Sequence, residues 1–599
     1  MIRTCTPRGI IPPIATYDLE WVPGTLRLRL AGFFDGDRYH RFTSARDLLT
    51  EMLKPSRSGS WYYAHFGGMT DFQFLLEELI DAPEYSVSAS FSGASAIIVK
   101  VRRGKRNWTF IDSFWLFRDS LARIGTSVGM EKGGPETTLD DDAKKRWFAT
   151  APIAELATYN EQDCRILHKA ILRFAETLAA MGSDLTYTIA GCALKLFRSA
   201  FLKEDIDTQP RINEPAALAY VGSRVEVIQK HVTDSLYYDI NSSFPHSMMA
   251  PQPGAYLGSS RRLPTKEGVL YLADVDIEVP ECHLPPLPAR IKDRIFFPTG
   301  RWSTHLTNPD IDLLLKHGGR IRKVRQVWTF EPFHDLSAYV ATVYEARKRA
   351  KDPFEKIVYK YLLNSLYGKF AEGTEKTRLV VHPSDEWTTE NRAAIHSGEI
   401  DTSSLPPHCY LVTQTKPVAH RWVMISAHIT AQSRAALYEW TMLGGGEPHY
   451  LDTDGFSIKA KLPTTSDLGG LKLEKRIDRA HFIAPKVYEI EGTELQPDGT
   501  WKRVHMVKAK GFSRLTVDGF AKLAKGEAVT FPRMQRIRER LRQGETSPAE
   551  VVIEKRMRMP HAGEKWNPAR HAMPKRHFYR SGKSRPFTVG EVKELLRVL

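Results

Sequence analysis

Carboxylates recur in this sequence in pairs whose spacing aims them at common points. Asp18 and Glu20 stand two apart in the strand-like run Ala15 to Trp21, and that spacing in an extended chain turns both side chains to one face. Acids crowded on one face repel each other, and a divalent cation is the simplest compensation. Asp71 opens the helical run Asp71-Phe72-Gln73-Phe74-Leu75-Leu76 after the turn-forming Gly67-Gly68, while Tyr159 and Asp163 fall four apart on one helical face. Asp18, Glu20, Asp71, Asp163 and Tyr159 therefore suit hydrolysis of a phosphodiester with two metal ions, one activating water and one steadying the leaving oxygen. Ion pairing at the surface explains any single one of these acids equally well.

A second set is more telling. Asp239 lies in Tyr237-Tyr238-Asp239-Ile240-Asn241-Ser242-Ser243-Phe244-Pro245, a strand-like run expected to deliver the acid to a turn that Pro245 terminates. From His449 to Ile458 apolar residues alternate around Asp454-Gly455, a hairpin signal with Asp452 and Asp454 at its tip. Metal ions held by Asp239 and Asp454 would suit phosphoryl transfer to a hydroxyl. Between them, spacings of four and seven put Lys360, Asn364 and Tyr367 on one helical face. Lys360 could meet a triphosphate as a point charge, Tyr367 could pack on a base pair, and Gly368 would let a duplex backbone approach. The plainer reading is an amphipathic helix with a snorkelling lysine.

The elements that must position these groups follow from periodicity. The N-terminal stretch predicts an α/β unit: a strand at Ile14 to Trp21, strands at Ala96 to Val101 and Trp108 to Asp112, and a long helix from Ile153 to Met181. Helical patterning follows from Leu185 to Leu202. Prolines at 251–253 and 280–288 flank strand-like sequence and predict an inserted, loop-rich piece. Inside it, Asn308-Pro309 and Gly318-Gly319 bracket a short helix. Helices are expected at Leu336 to Lys351 and Phe354 to Tyr367, divided at Asp352-Pro353, and at Trp422 to Met442. The polar stretch Glu372 to Pro407 reads as another insertion, and the C-terminal region as helical at Pro532 to Gln543 and Val589 to Leu599. Between those helices, Lys555 to Arg585 carries ten Lys/Arg and one Glu with Trp566, Phe578 and Tyr579 interleaved, a pattern that favours phosphate contacts over a solvated tail.

Composition sets the class. Across 599 residues, 85 Lys+Arg oppose 70 Asp+Glu for a net charge of +15, and 42% of residues are hydrophobic. Disorder and fibrous repeats are excluded, and the basic balance favours a polyanion as partner. Five cysteines without metal-ligand spacing argue against a zinc ribbon or a disulfide framework and for a reducing, cytoplasmic setting. No stretch of about 18 apolar residues is present to span a bilayer.

The order Asp239-x-x-Ser242, Lys360-x-x-x-Asn364-Ser365-x-Tyr367-Gly368 and Tyr450-x-Asp452-Thr453-Asp454 resembles motifs A, B and C of family B DNA polymerases. The N-terminal acids resemble that family's three exonuclease motifs. Within the family the sequence is most similar to the protein-primed polymerases of small bacteriophages and linear plasmids. Tyr220-Val221-Gly222-Ser223 resembles their linker motif, Ser120-Leu121-x-x-Ile124 an exonuclease DNA-contact motif, and Lys486-Val487-Tyr488 the motif that holds the primer end.

The resemblance implies α/β plus α+β domains: an RNase H-like 3′→5′ exonuclease over 1–184, followed by a right hand of palm, fingers and thumb. Palm would cover 185–251 and 420–513, fingers 337–371, and thumb with basic tail 514–599. Insertions at 252–336 and 372–419 would correspond to that subfamily's terminal protein regions 1 and 2, one implied to contact a terminal protein and one to encircle DNA. Mg²⁺ is implied, two per active site with Mn²⁺ as a substitute, held by Asp239, Asp454 and the Ile240 backbone and by Asp18, Glu20, Asp71 and Asp163, with Asp452 in support. Lys360, aided by Arg347 or Lys348, would neutralise an incoming dNTP beside Ser242. Lys508 and Lys510-Gly511 would sit near the thumb junction. Template, primer and terminal protein are the implied partners of a monomer that replicates a linear genome. Ordinary nucleic-acid primers, a binding factor without synthesis, and a nuclease with an accessory domain are the competing readings.

Three departures from the family pattern stand out. Phe66 and Thr70 occupy the places of an Asn and a Phe near Asp71, which bears on how a frayed strand is held. Phe244 replaces the usual Tyr beneath the sugar, and Gly455 replaces a Ser. Lys132 best fits the exonuclease lysine, with Lys144 and Lys145 as fallbacks.

Overall fold

The computed structural model describes residues 1–93, 95–135, 141–512, 515–557 and 573–598. Trp566 and the boundary placed at 513–514 lie outside the described residues. The N-terminal acids ride on a ten-stranded sheet. Toward one edge of it Ile14–Val22 pairs parallel with Trp61–Ala64, which pairs parallel with Arg106–Asp112. On the other side Ile14–Val22 pairs antiparallel with Arg27–Phe34, which pairs with Tyr39–Phe42. Parallel strands buried on both faces read as near-continuous apolar runs, and Tyr62, Tyr63 and Ala64 are wholly buried. The helix Ile153–Ala180 packs across the Ile14–Val22 and Arg27–Phe34 strands.

The stretch read as a polar insertion after Glu372 builds strands. Glu375–Val381 pairs with Ser86–Ser92 of the N-terminal sheet, and Cys409–Thr415 and Ile400–Asp401 continue it. Leu379, Val381, Cys409 and Leu411 enter the N-terminal core, so a sheet edge that would otherwise be open is covered.

The second acid set lies on a seven-stranded antiparallel sheet in the order Trp501–Ala509, Val487–Leu495, Leu471–Ala484, His231–Ile240, Gly455–Ile458, Tyr450–Asp452, Val225–Val227. The buried helix Val423–Leu443 packs against it, and Trp422 at its start donates to the Pro253 and Gly254 carbonyls. Asp335–Arg349 and Pro353–Ser365 form an antiparallel pair. The second is capped by Asp352, which accepts from the Phe354 and Glu355 N–H groups, as expected where proline occupies the first helical turn.

Four expectations change. The piece between 252 and 336 is not loop-rich: Gln252–Ser260, Arg320–Phe333, Leu270–Val279 and Gly300–Thr307 form a four-stranded antiparallel sheet, because the long Arg320–Phe333 strand serves two partners. Pro532 belongs to the strand Val529–Met534, paired with Glu550–Lys555, and only Ile537–Leu541 is helical there; an outer strand tolerates a proline that lacks an N–H. Pro245 lies inside the short helix Ser243–Met248 instead of ending a turn, and the reversal before it is made by Ser242 in the left-handed region at φ 52°. The helix predicted from Leu185 starts only at Ile189 and finishes as a wide turn over Phe197–Phe201.

Candidate active sites

Asp18 and Glu20 project from Ile14–Val22 into a cleft of about 440 Å³, where Asp71, Tyr159, Asp163 and Lys132 also open. Asp71 stands at the first turn of Asp71–Ile80 and accepts from the Leu19 N–H at 2.9 Å and the Thr70 hydroxyl at 2.7 Å. The charges of Glu20 and Asp71 both act on the Asp18 carboxyl. Burial, then repulsion from neighbouring carboxylates, raises Asp18 well above the usual range. Burial and Asp163 push Glu20 up to about 8, and burial raises Asp71. Lys132 pairs with Asp163 at 2.6 Å and lies 4.9 Å over the Tyr159 ring. The fallback lysines Lys144 and Lys145 instead line an adjoining groove beneath Leu515 and Lys522.

Ser120 caps the helix Leu121–Ser127, and both Ser120 and Leu121 edge the first cleft. Phe66, at φ 60°, stacks on Phe114 with centroids 4.2 Å apart. Asn160, next to Tyr159 in sequence, is a site residue that the spacing of the acids does not single out. It is fully buried and donates to Glu20 Oε1 at 3.1 Å and to the Asp18 carbonyl at 3.0 Å. Its position three residues before Asp163, on one helical face, is the signal that marks it.

In the second sheet Asp239 pairs in register with Gly455, and the Ile240 N–H donates to the Asp454 carbonyl at 2.9 Å. Thr453, at φ 71°, makes the tight hairpin that brings Asp454 beside Asp239. Burial and Asp454 push Asp239 up to about 8, against the lowering influence of Lys472 and Lys360; burial pushes Asp454 up to about 6. Asp452 is buried and ion-paired with Lys486, whose N–H donates to the Tyr450 hydroxyl at 2.9 Å. Tyr488 packs edge-on against Tyr450, with Lys508 5.8 Å over its own ring.

Phe244 stacks on Tyr367 at 4.3 Å and 15° between planes, beside Asp454 and Tyr220. Arg347 reaches Ser242 Oγ at 3.5 Å, and burial lowers its pKa. Lys348, in contrast, pairs with Glu345 at 3.3 Å and lies 5.0 Å over the Tyr344 ring. Lys360 and Asn364 are exposed, and the space a side chain would take at Gly368 and Gly222 is open. At Gly455 it is not: a Cβ would lie 2.7 Å from the Tyr237 hydroxyl. The basic run is partly internal, since Arg576 is fully buried on Ser584 and the His283 carbonyl and Lys575 donates to the Val225 carbonyl.

Residues 137–431 match the family of DNA polymerases type B, organellar and viral. The chain is 24% identical to the DNA-directed DNA polymerase of Enterobacteria phage PRD1, covering 77% of this chain and 79% of that one. It is 26% identical to a probable DNA polymerase of Ascobolus immersus over 56% of its own length and 29% of the relative's. The chain thus spans under a third of that fungal relative, and 39% of a similar one from Neurospora intermedia. Among solved structures, Phi29 DNA polymerase complexed with primer-template DNA superposes with a TM-score of 0.70 at 17% identity, covering 91% of this chain and 99% of that one. The two share the architecture of an exonuclease domain joined to palm, fingers and thumb. Family match, phage relative and shared fold agree, and the protein is related to the DNA polymerases type B of organelles and viruses.

Proposed function

We propose that the chain is a DNA-templated DNA polymerase with an editing 3′→5′ exonuclease in a separate cleft, and that it starts synthesis on a terminal protein. The observation that carries the first part is the pair Asp239 and Asp454, two mutually repelling carboxyls brought together by adjacent middle strands of one sheet, with the charge of Lys360 acting on Asp239. That donor set fits Mg²⁺, or Mn²⁺ in its place, at Asp239, Asp454 and the Ile240 backbone; the first cleft offers a like set in Asp18, Glu20, Asp71 and Asp163. Bound there, the ions would supply charge neutralisation and a more acidic nucleophile.

The chain's own residues do the positioning. Lys360 and Arg347 would clamp the triphosphate of the incoming dNTP, and the Phe244–Tyr367 stack would form a floor under the new base pair, excluding a ribose 2′-OH by its bulk. Lys486, fixed by Asp452, and Tyr488 would hold the primer end so that its 3′-OH lies in line with the α-phosphate. In the other cleft Tyr159 would orient the attacking water, and Lys132, anchored on Asp163, would steady the scissile phosphate. The sheet over 252–333 is the surface proposed to meet the terminal protein. Solved complexes of the Phi29 enzyme with primer-template DNA and incoming nucleotides support DNA and dNTPs as ligands here.

The test is incorporation of labelled dNTPs on a primed single-stranded template with Mg²⁺, with Asp454→Ala run beside the wild type. Extension by the wild type alone supports the reading. Equal extension by Asp454→Ala, or none by the wild type even with the terminal protein supplied, would refute it.

A further inference from the structure

Away from both acid sites, the outer strands of the seven-stranded sheet carry a second kind of donor cluster. His231, His481 and Glu489 are cross-strand neighbours in one row, and Arg479, Glu491 and His505 in the next. All six line one cleft of about 560 Å³, with His449 at its side. Glu489, Glu491 and His505 each bring one ligand atom within 4.8 Å of the others. His505 Nε2 lies 2.7 Å from Glu489 Oε1 and 3.7 Å from Glu491 Oε1. Ligands about 2.0–2.2 Å from a tetrahedral zinc ion stand roughly 3.3–3.6 Å from one another. The longer separation nearly matches, and the shorter needs to open by less than the width of one atom. Arg479 holds the Glu491 carboxylate at 2.6 Å, the kind of outer support that orients a ligating carboxylate. The imidazoles of His231 and His481, with centroids 4.2 Å apart, wall the same cleft.

From this geometry we infer that Glu489, Glu491 and His505 form a site for a borderline divalent metal ion of the zinc class. Imidazole in the donor set selects such ions over Mg²⁺, which prefers oxygen alone. The ion would take the place of the proton shared between His505 and Glu489. It would tie Val487–Leu495 to the edge strand Trp501–Ala509, whose far end leads into the thumb-like C-terminal region, so its role is to stiffen that junction.

The test is titration of the full chain with Zn²⁺ in excess Mg²⁺, which occupies the all-carboxylate sites. The wild type should bind one equivalent with a thermal midpoint raised by several degrees. His505→Ala and, as an isosteric second variant, Glu489→Gln should lose both effects, and Arg479→Gln should weaken binding roughly 10–100-fold. Co²⁺ in place of Zn²⁺ should give a tetrahedral visible band that His505→Ala abolishes. Absence of stoichiometric binding by the wild type would overturn the inference. So would binding that survives in either His505→Ala or Glu489→Gln, or that is lost instead with Asp239→Ala.

Discussion

Gly455 shows how a departure from a family pattern can be read at the level of one residue. The ring of Tyr237, next but one to Asp239 on the neighbouring strand, fills the space a Cβ would need. Gly455→Ala should therefore displace Tyr237 and the Asp239 strand with it, and a shift of about 1 Å at the acids costs roughly 100-fold in synthesis. Primer extension should report that loss while 3′-end degradation stays at the wild-type rate. The acids themselves make stability depend on pH. Asp239 is pushed from an ordinary 3.8 up to about 8, and Asp454 up to about 6. Carboxyls raised in the folded state hold more protons there than in the unfolded chain, so folding stability falls as pH climbs from about 4 through 8. The metal-free wild type should melt lower at pH 8 than at pH 6. Asp239→Asn should flatten that slope, and Mg²⁺ should raise the wild-type midpoint more at the higher pH; calorimetry across the range reads all three.

Among the elements, helix pairs and caps carry the geometry. Asp352 both caps Pro353–Ser365 and accepts Arg173 from the long N-terminal helix at 2.5 Å. Asp352→Ala should cost about 1–2 kcal/mol in denaturant unfolding, from cap loss and the broken ion pair, and raise KM for dNTP because Lys360 rides on that helix. Such helices were legible in sequence because proline, cap residue and apolar period agree. The hairpin around Asp454-Gly455 was legible for the same reason, turn chemistry and alternation agreeing, although its turn residues are Thr453-Asp454 and Asp452 pairs in the strand with Gly455. What escaped were strands whose partners lie far off in sequence. Nothing local marks Glu375–Val381 as the neighbour of Ser86–Ser92; Arg27–Phe34 is a different case, since Pro23-Gly24 and Asp35-Gly36 bracket it and its partner Ile14–Val22 directly precedes it. The polar faces of the 252–333 sheet disguised it as loop. Asn160 was visible as a letter, but its part in holding Glu20 needed the cross-element contact.

Across the whole molecule, the C-terminal region closes back on the N-terminal sheet. Ile537 and Leu541 are buried in the N-terminal core, Arg542 pairs with Asp401 at 3.3 Å, and Ser547 donates to Glu77. Leu541→Ala should cost about 2–5 kcal/mol as a core cavity and depress 3′-end degradation as well as overall stability, which a thermal melt and a degradation assay would register together. The two carboxylate clusters sit on different sheets within this one body, and that separation is the core of the functional account. Its most direct test places wild type, Asp454→Ala and the pair Asp18→Ala with Asp71→Ala on one 5′-labelled primer-template with Mg²⁺, with and without dNTPs. The account predicts that Asp454→Ala shortens the primer but cannot extend it, while the double variant extends but no longer shortens. Loss of both reactions in a folded Asp454→Ala protein, or continued shortening by the double variant, would contradict it.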